Sequence, residues 1–313
     1  MITRMSTTIE YLLFRLVGWL ARFVPYGAAR HIGHALGLGV LYLTGYRKRI
    51  TLDNLTHAFP DASPAWVRTV MRGAYKNYGS AIVEMFWAGG RSAETLKAKV
   101  HLRNPGILHS ALQRDAGLIL LSAHFGSWEF MLNGLRLHIP ARFAAIVQRQ
   151  RNERIDAFID EQRRRFDVET IAMGPSVREV LRALKEKKAV VILGDQSGPR
   201  ESVFIPFFGR PSATHRGAAA FALRTGAPIV IVLLVRQADG THEAVFEEIP
   251  MQGLSGSRDE QVRQLTARHA AVLEKHIRLH PEHWLWMHKR WKHTPDQEEE
   301  NTGAVTDGAQ ERA

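Results

Sequence analysis

His124 and Glu129 stand five residues apart in GLILLSAHFGSWEF, the stretch from Gly117 to Phe130, just after a run of branched apolar residues. A histidine of ordinary pKa, ~6.5, can take a proton from an attacking hydroxyl near neutral pH, provided a partner on its other ring nitrogen fixes the tautomer. The spacing offers Glu129 as that partner. On these residues alone a second reading is equally open, in which His124 caps a turn and Glu129 is a carboxylate favoured at a helix start by the dipole.

Leu118 to Leu121 has no polar face, which predicts a strand buried on both sides. Gly126 and Ser127 break it, with Ser127 as the expected N-cap of a helix from Trp128 to Leu137. His124 then lies in the connection and Glu129 in the first turn, at the strand end where sites of open α/β sheets form. Three further strand ends carry polar clusters: Gln148 to Arg154 after Val147, Gly194 to Gly198 after Leu193, and Pro206 to Arg210 after Ile205. Arginine presents a planar fork suited to phosphate, so Arg149 is a candidate ligand. Arg163, Arg164 and Arg165 read as a solvated helix face. Asp195 is placed to hold an arginine or a substrate hydroxyl, and is equally well explained as a turn carboxylate before Ser-Gly-Pro.

The elements around these sites alternate. An amphipathic helix starts at Ser63-Pro64 and runs through Phe86. Strands are expected at Phe143 to Gln148, Ala189 to Gly194, Ile229 to Val235 and His242 to Ile249. Helices are expected at Glu153 to Phe166, Ser176 to Lys187 and Thr214 to Thr225. The pattern is an α/β fold with a mixed, mostly parallel sheet flanked by helices, the last two strands forming an antiparallel hairpin at one edge.

At 313 residues the chain can bury a full α/β core, and it carries a formal charge of +11. Six acids and one arginine fall in the last twenty residues, leaving 41 bases against 25 acids and a body nearer +16. Such a body is attracted to anionic partners. With no basic helix bearing base-reading residues and no aromatic RNA-binding motif, nucleic acid is not expected and an anionic membrane is. The chain has no cysteine, which excludes disulfides, thiolate nucleophiles and thiolate metal sites. The sequence has no G-x-S-x-G elbow, H-E-x-x-H, P-loop or G-x-G-x-x-G fingerprint, which sets back serine hydrolysis and nucleotide chemistry.

Residues 1–46 are apolar but interrupted. Tyr11 to Val24 carries Arg15 and Arg22, and Ile32 to Tyr46 falls short of the ~20 residues a bilayer span needs. Two short helices lying on or dipping into one leaflet are expected, with Arg47, Lys48 and Arg49 at the headgroups. The expected organisation is a membrane-anchoring segment 1–46, a catalytic domain 47–293 and a disordered acidic tail 294–313.

Taken together these segments resemble the lipid A biosynthesis (late, lauroyl/myristoyl) acyltransferases of Gram-negative bacteria, a branch of the glycerolipid acyltransferase superfamily. The resemblance runs from Arg47 to Lys292. It rests on RKRITLDNLTHAFPDAS, the His-x4-Glu motif HFGSWE, Arg149 with Asn152, GDQ at Gly194 to Gln196, VFIPFFGRPSATHRGAAAFALRTGAPIV, and PEHWLWMHKRWK. Gln148 and Gln150 stand where the family more usually has tyrosine and proline. The resemblance implies a glycerol-3-phosphate acyltransferase-like fold, His124 as the base that activates an acceptor hydroxyl and Glu129 as its partner. It further implies Arg149, Asn152, Asp195 and Gln196 as substrate-binding residues, and no metal or cofactor. The donor would be an acyl thioester, on acyl carrier protein or coenzyme A, and the place of work the cytoplasmic face of the bacterial inner membrane. Related branches acylate lysophospholipids, glycolipids or aminolipids with the same base motif. A thioesterase-like hydrolase and a non-catalytic lipid-binding protein are the rivals from other classes.

Overall fold

The computed structural model describes residues 2–174, 176–199 and 202–293; the expected acidic tail lies outside them. Two N-terminal helices, α1 (Ile2–Ala21) and α2 (Tyr26–Gly39), are followed by a π-helical turn at Val40–Thr44. Next come α3 (Lys48–Ala58) and the long α4 (Pro64–Ala88), which Ser63 caps by accepting the Trp66 N–H at 3.2 Å. The short α5 (Ala93–Lys97), β1 (Val100–Leu102) and α6 (Pro105–Leu112) lead into β2 (Leu118–Ser122). From there the chain alternates through α7 (Trp128–His138), β3 (Phe143–Val147), α8 (Glu153–Arg164), β4 (Val168–Ala172), α9 (Val177–Lys185) and β5 (Ala189–Leu193). A small hairpin, β6 (Val203–Phe207) and β7 (Arg210–Thr214), precedes α10 (Gly217–Thr225). The fold closes with β8 (Ile229–Arg236), β9 (His242–Ile249), α11 (Arg258–Leu279) and a C-terminal segment that starts with a 3-10 turn at Pro281–His283.

Seven strands form one sheet in the order β1-β9-β8-β2-β5-β3-β4, and β6 with β7 forms a separate pair. The central strands run parallel, β8 and β9 are antiparallel, and β1 pairs with β9 in parallel. The expected hairpin is therefore present but is not the sheet edge, because the three-residue β1 lies outside it. Strand β2 is buried throughout, as its unbroken apolar run requires. Ile119 and Leu121 enter the core on one face of the sheet, while Leu118 and Leu120 enter the core on the other. Full burial of each such side chain contributes about 1.5–3 kcal/mol.

Helices α2 and α4 meet almost backbone to backbone. A Cβ added at Gly37 would lie 1.9 Å from the Tyr75 carbonyl oxygen, so only glycine fits. The same pair of helices carries a buried polar cluster. The Tyr26 hydroxyl donates to Glu84 Oε1 at 2.7 Å and lies 2.8 Å from His242 Nε2. Arg236 binds Glu84 through Nη2 at 2.7 Å and Nε at 3.2 Å, and also bonds Asn77. Burial disfavours the ionised Glu84 carboxyl, but Arg236 and His242 outweigh it and hold its pKa well below the usual carboxylate range.

None of the described helices is long and apolar enough to cross a membrane. Helix α1 presents Leu12, Leu13, Leu16, Val17 and Leu20 outward, and α2 presents Ile32 and Leu36. Leu43, in the turn after α2, is 88% exposed.

Candidate functional site

The site grows from the register of two neighbouring parallel strands. Ser122, the last residue of β2, pairs with Leu193, the last of β5. His124 and Asp195 each lie two residues beyond that pair, and the matched offset brings them together: His124 Nδ1 is 2.9 Å from Asp195 Oδ1. Asp195 Oδ2 accepts the indole N–H of Trp284, also at 2.9 Å. The carboxylate is 3% exposed, so both of its oxygens are satisfied by buried donors.

The turn that carries His124 is tied to the C-terminal segment. Leu285 N–H donates to the His124 carbonyl at 3.0 Å, and Gly126 N–H donates to the His283 carbonyl at 2.9 Å. Gly126 adopts φ +60°, and a Cβ there would lie 2.0 Å from the Leu234 carbonyl oxygen. No other residue fits that position. Ser127 stands at the N-cap position of α7 but makes no capping bond, and its hydroxyl is buried without a partner.

Across the ring from Asp195, His124 Nε2 lies 3.3 Å from the side-chain amide nitrogen of Gln196. With the amide so oriented, Gln196 donates to Nε2 and Asp195 accepts from Nδ1–H, and the two contacts agree on one tautomer. The Nε2 lone pair is then directed at Gln196, which lines the cleft together with His124. Burial disfavours the imidazolium, but the Asp195 carboxylate, with a smaller contribution from Glu129, outweighs it, so the His124 pKa is raised above 6.5. The Asp195 pKa is lowered: burial opposes its charge, and His124 and Trp284 outweigh that cost.

Glu129 is not the side chain that holds His124. It accepts from Arg163, at 2.7 Å from Nη2 and 3.3 Å from Nε, and Arg163 Nη1 reaches Asp160 at 3.3 Å. Arg163 is therefore buried against two carboxylates, which corrects its reading as a solvated helix face; Arg164 is exposed as expected. Arg165 is exposed too, but its guanidinium donates to the Gly89 and Arg91 carbonyls. Arg149 is 57% exposed, and its Nη1 bonds both Asp156 and Asp160 of α8. Asn152 caps α8 through Oδ1 and donates from Nδ2 to the Thr7 carbonyl and Glu10 of α1. The structure thus brings His124, Asp195 and Gln196 together, sets Glu129 one step away, and gives Arg149 and Asn152 structural bonds.

A cleft of about 490 Å3 opens over this group. Trp128 lines it with its ring centroid 5.2 Å from that of His124; Met131, Leu132, Ile146 and Val191 give it an apolar part, and Gln148, Gln150, Arg163 and Lys292 a polar one. A second cavity of about 230 Å3 shares Ile146, Met173, Ile192 and Leu193 with it and extends the apolar lining to Phe221. His288, on the cleft wall, accepts the Ser197 N–H at 3.1 Å, and burial pushes its pKa down to about 4, so it stays neutral. Trp284 and His288 are the site residues that strand and helix patterns do not single out. Among the described residues one group has the composition of a metal site, His280, Glu282 and His283. There His283 Nε2 accepts the Arg236 N–H and Nδ1 faces Glu282 at 3.2 Å, which leaves neither nitrogen with a free lone pair.

A paired histidine and carboxylate at the carboxyl ends of parallel strands, beside a cleft, is equipped for proton transfer, and comparison with known proteins gives the class. The family model for bacterial lipid A biosynthesis acyltransferases matches residues 3–293, and the chain belongs to that family. It is 28% identical over 283 residues to the lipid A biosynthesis palmitoleoyltransferase of Escherichia coli (strain K12), covering 88% of this chain and 89% of the relative. It is 25% identical over 286 residues to the lauroyltransferase of the same organism, covering 89% and 90%. A phosphatidylinositol mannoside acyltransferase of Mycobacterium tuberculosis (strain CDC 1551 / Oshkosh) is 24% identical over 301 residues, covering 93% and 90%. The protein is an acyltransferase.

Proposed function

We propose that this enzyme moves a fatty acyl chain from an acyl thioester to a hydroxyl of a lipid A precursor, with His124 as general base and Asp195 as the group that orients it. The observation that carries the reading is the Asp195–His124 pair, with Nε2 meeting Gln196 on the wall of a cleft that is part apolar and part polar. The acceptor hydroxyl gives its proton to Nε2 as its oxygen attacks the thioester carbonyl carbon. Collapse of the tetrahedral intermediate breaks the C–S bond, and the imidazolium returns the proton to the leaving sulfur. Asp195 stabilises the imidazolium in between. Gln196 yields Nε2 to the incoming hydroxyl, and its amide is then a donor beside the developing oxyanion. The apolar cavities receive the acyl chain, and Glu129 holds Arg163 in the wall. Acyl carrier protein is the favoured donor, since the body of the chain is strongly basic; acyl coenzyme A is the alternative.

The outward apolar residues of α1 and α2 support attachment to the cytoplasmic face of the inner membrane without a spanning helix. Purified enzyme is assayed with an acyl thioester, with and without lipid acceptor. Acyl-lipid formation that falls by ~10²–10⁴-fold in folded His124→Ala supports the reading. Wild-type turnover in that variant refutes the mechanism, and thiol release that is independent of acceptor assigns a hydrolase. Lipid mass spectrometry of cells lacking the protein identifies the acceptor. Leu13→Asp with Leu16→Asp should move the protein toward the soluble fraction; unchanged fractionation refutes the attachment.

A further inference from the structure

The turn after α2, helix α3 and the start of α4 enclose a trench of about 530 Å3 that shares no lining residue with the His124 cleft. Its floor is Val67 and Met71, Leu52 forms one wall, and Lys48, Arg68 and Arg72 stand on its rim. No acid lines it, and none of the three cations enters an ion pair among the described residues. Tyr42 and Leu52, both exposed, line the trench, and Tyr42 belongs to the turn that follows α2 directly.

An apolar floor under three unpaired cations matches an amphiphile with an anionic head. We propose that this trench binds one anionic phospholipid, its phosphate on Arg68, Arg72 and Lys48 and the upper part of one chain on Val67 and Met71. The volume is that of a small-molecule site, and the two guanidiniums suit phosphate oxygens. Free phosphate shares the head chemistry but gains nothing from the floor. An acidic protein segment would meet the cations and leave the floor uncovered. The proposal does not rest on the chemistry assigned to His124.

The test is isothermal titration of the full-length protein in neutral detergent with short-chain phosphatidylglycerol, phosphatidylcholine of the same length, and inorganic phosphate. Phosphatidylglycerol is expected to bind about tenfold or more tighter than either. Arg68→Gln with Arg72→Gln should weaken it to the phosphatidylcholine level. Leu52→Trp, at a position exposed enough to accept the ring, should weaken it with every charge intact. Arg258→Gln with Arg263→Gln, the same charge change on α11, should leave binding unchanged, as should His124→Ala. Equal affinity for the two lipids overturns the proposal, as does an equal loss in the α11 pair, which would reduce the effect to general attraction. Full binding in Leu52→Trp overturns it in favour of a head-only or acidic-protein site, and phosphate that binds as tightly as the lipid overturns it in favour of a simple anion site.

Discussion

Asp195→Asn preserves the size of the side chain and should still cost about four orders of magnitude in turnover. The reason lies in the two donors that face it, Trp284 Nε1 and His124 Nδ1, each at 2.9 Å. A carboxylate accepts both. An amide has one acceptor and one donor, and the indole N–H can only donate, so the amide oxygen must face Trp284. Its NH2 then faces Nδ1, which has to accept, and the ring proton moves to Nε2. The lone pair needed for proton abstraction is gone from the cleft. In the Ser-His-Asp proteases the same substitution, through the same wrong tautomer, costs ~10⁴ in rate, and that factor corresponds to about 5.5 kcal/mol of barrier. A second substitution separates this account from simple loss of charge. Trp284→Phe removes the indole donor, which frees the amide of the Asp195→Asn, Trp284→Phe double variant to turn its oxygen toward Nδ1–H. The double variant should therefore be faster than Asp195→Asn alone, a coupling of reversed sign. The assay is kcat/KM for acyl transfer, with circular dichroism to establish folding. A near wild-type Asp195→Asn, or a double variant slower than the single, would refute the reasoning.

For the wild-type enzyme, kcat/KM should rise with pH as His124 loses its proton, with a midpoint above 6.5 because Asp195 and Glu129 favour the imidazolium; removal of the Asp195 charge should bring that midpoint down, and an unmoved midpoint would detach His124 from the profile. Arg163→Lys should impair transfer, since an ammonium cannot serve Glu129 and Asp160 together, whereas Arg149→Lys on its exposed clasp should be nearly silent; equal losses in the two kinetic assays would contradict the difference in burial. Glu84→Gln strands the buried Arg236 and should cost about 3–5 kcal/mol in denaturant unfolding. The stability this carboxylate supplies is complete above its unfolded pKa of ~4.5 and is lost only as pH falls through the depressed folded value, so the variant and wild type should converge in strong acid.

Most of the legible strands are buried on both faces, and β9 was legible too, from the hairpin turn that joins it to β8. Strands β2, β3, β5 and β8 are continuous apolar runs rich in Leu, Ile and Val, unlike the alanine-rich run Ala218 to Leu223, which is helical. Strand β4, VETIA, hides because the exposed Glu169 interrupts it at the sheet edge, β1 is too short to show a period, and Pro206 and Pro211 disguise the β6–β7 hairpin. His124 was legible from the strand that delivers it. Its true partner was not, because the bond to Asp195 follows from the register of β2 on β5, a relation between segments 71 residues apart. Glu129 was drawn toward His124 by proximity in sequence, while its direction on the first turn of α7 aims it at α8. Trp284 and His288 lie in a segment with neither helical nor strand periodicity, so their motif shows that they matter and not what they touch.

Between α2 and α4 there is no side chain to repack at Gly37, and Tyr26 pins the same helix to Glu84. An apolar arm fixed in this way has no swivel. Under the proposed membrane attachment this arm would act as a landing gear of set height, with the distance from Leu36 to His124 set by the fold and not by a hinge. A hydroxyl standing higher or lower than that height would then not be presented to His124, however well its neighbours match the cleft. Discrimination among acceptor lipids would then be a matter of depth as well as shape. Headgroups of different stature would be sorted before any pocket residue touches them.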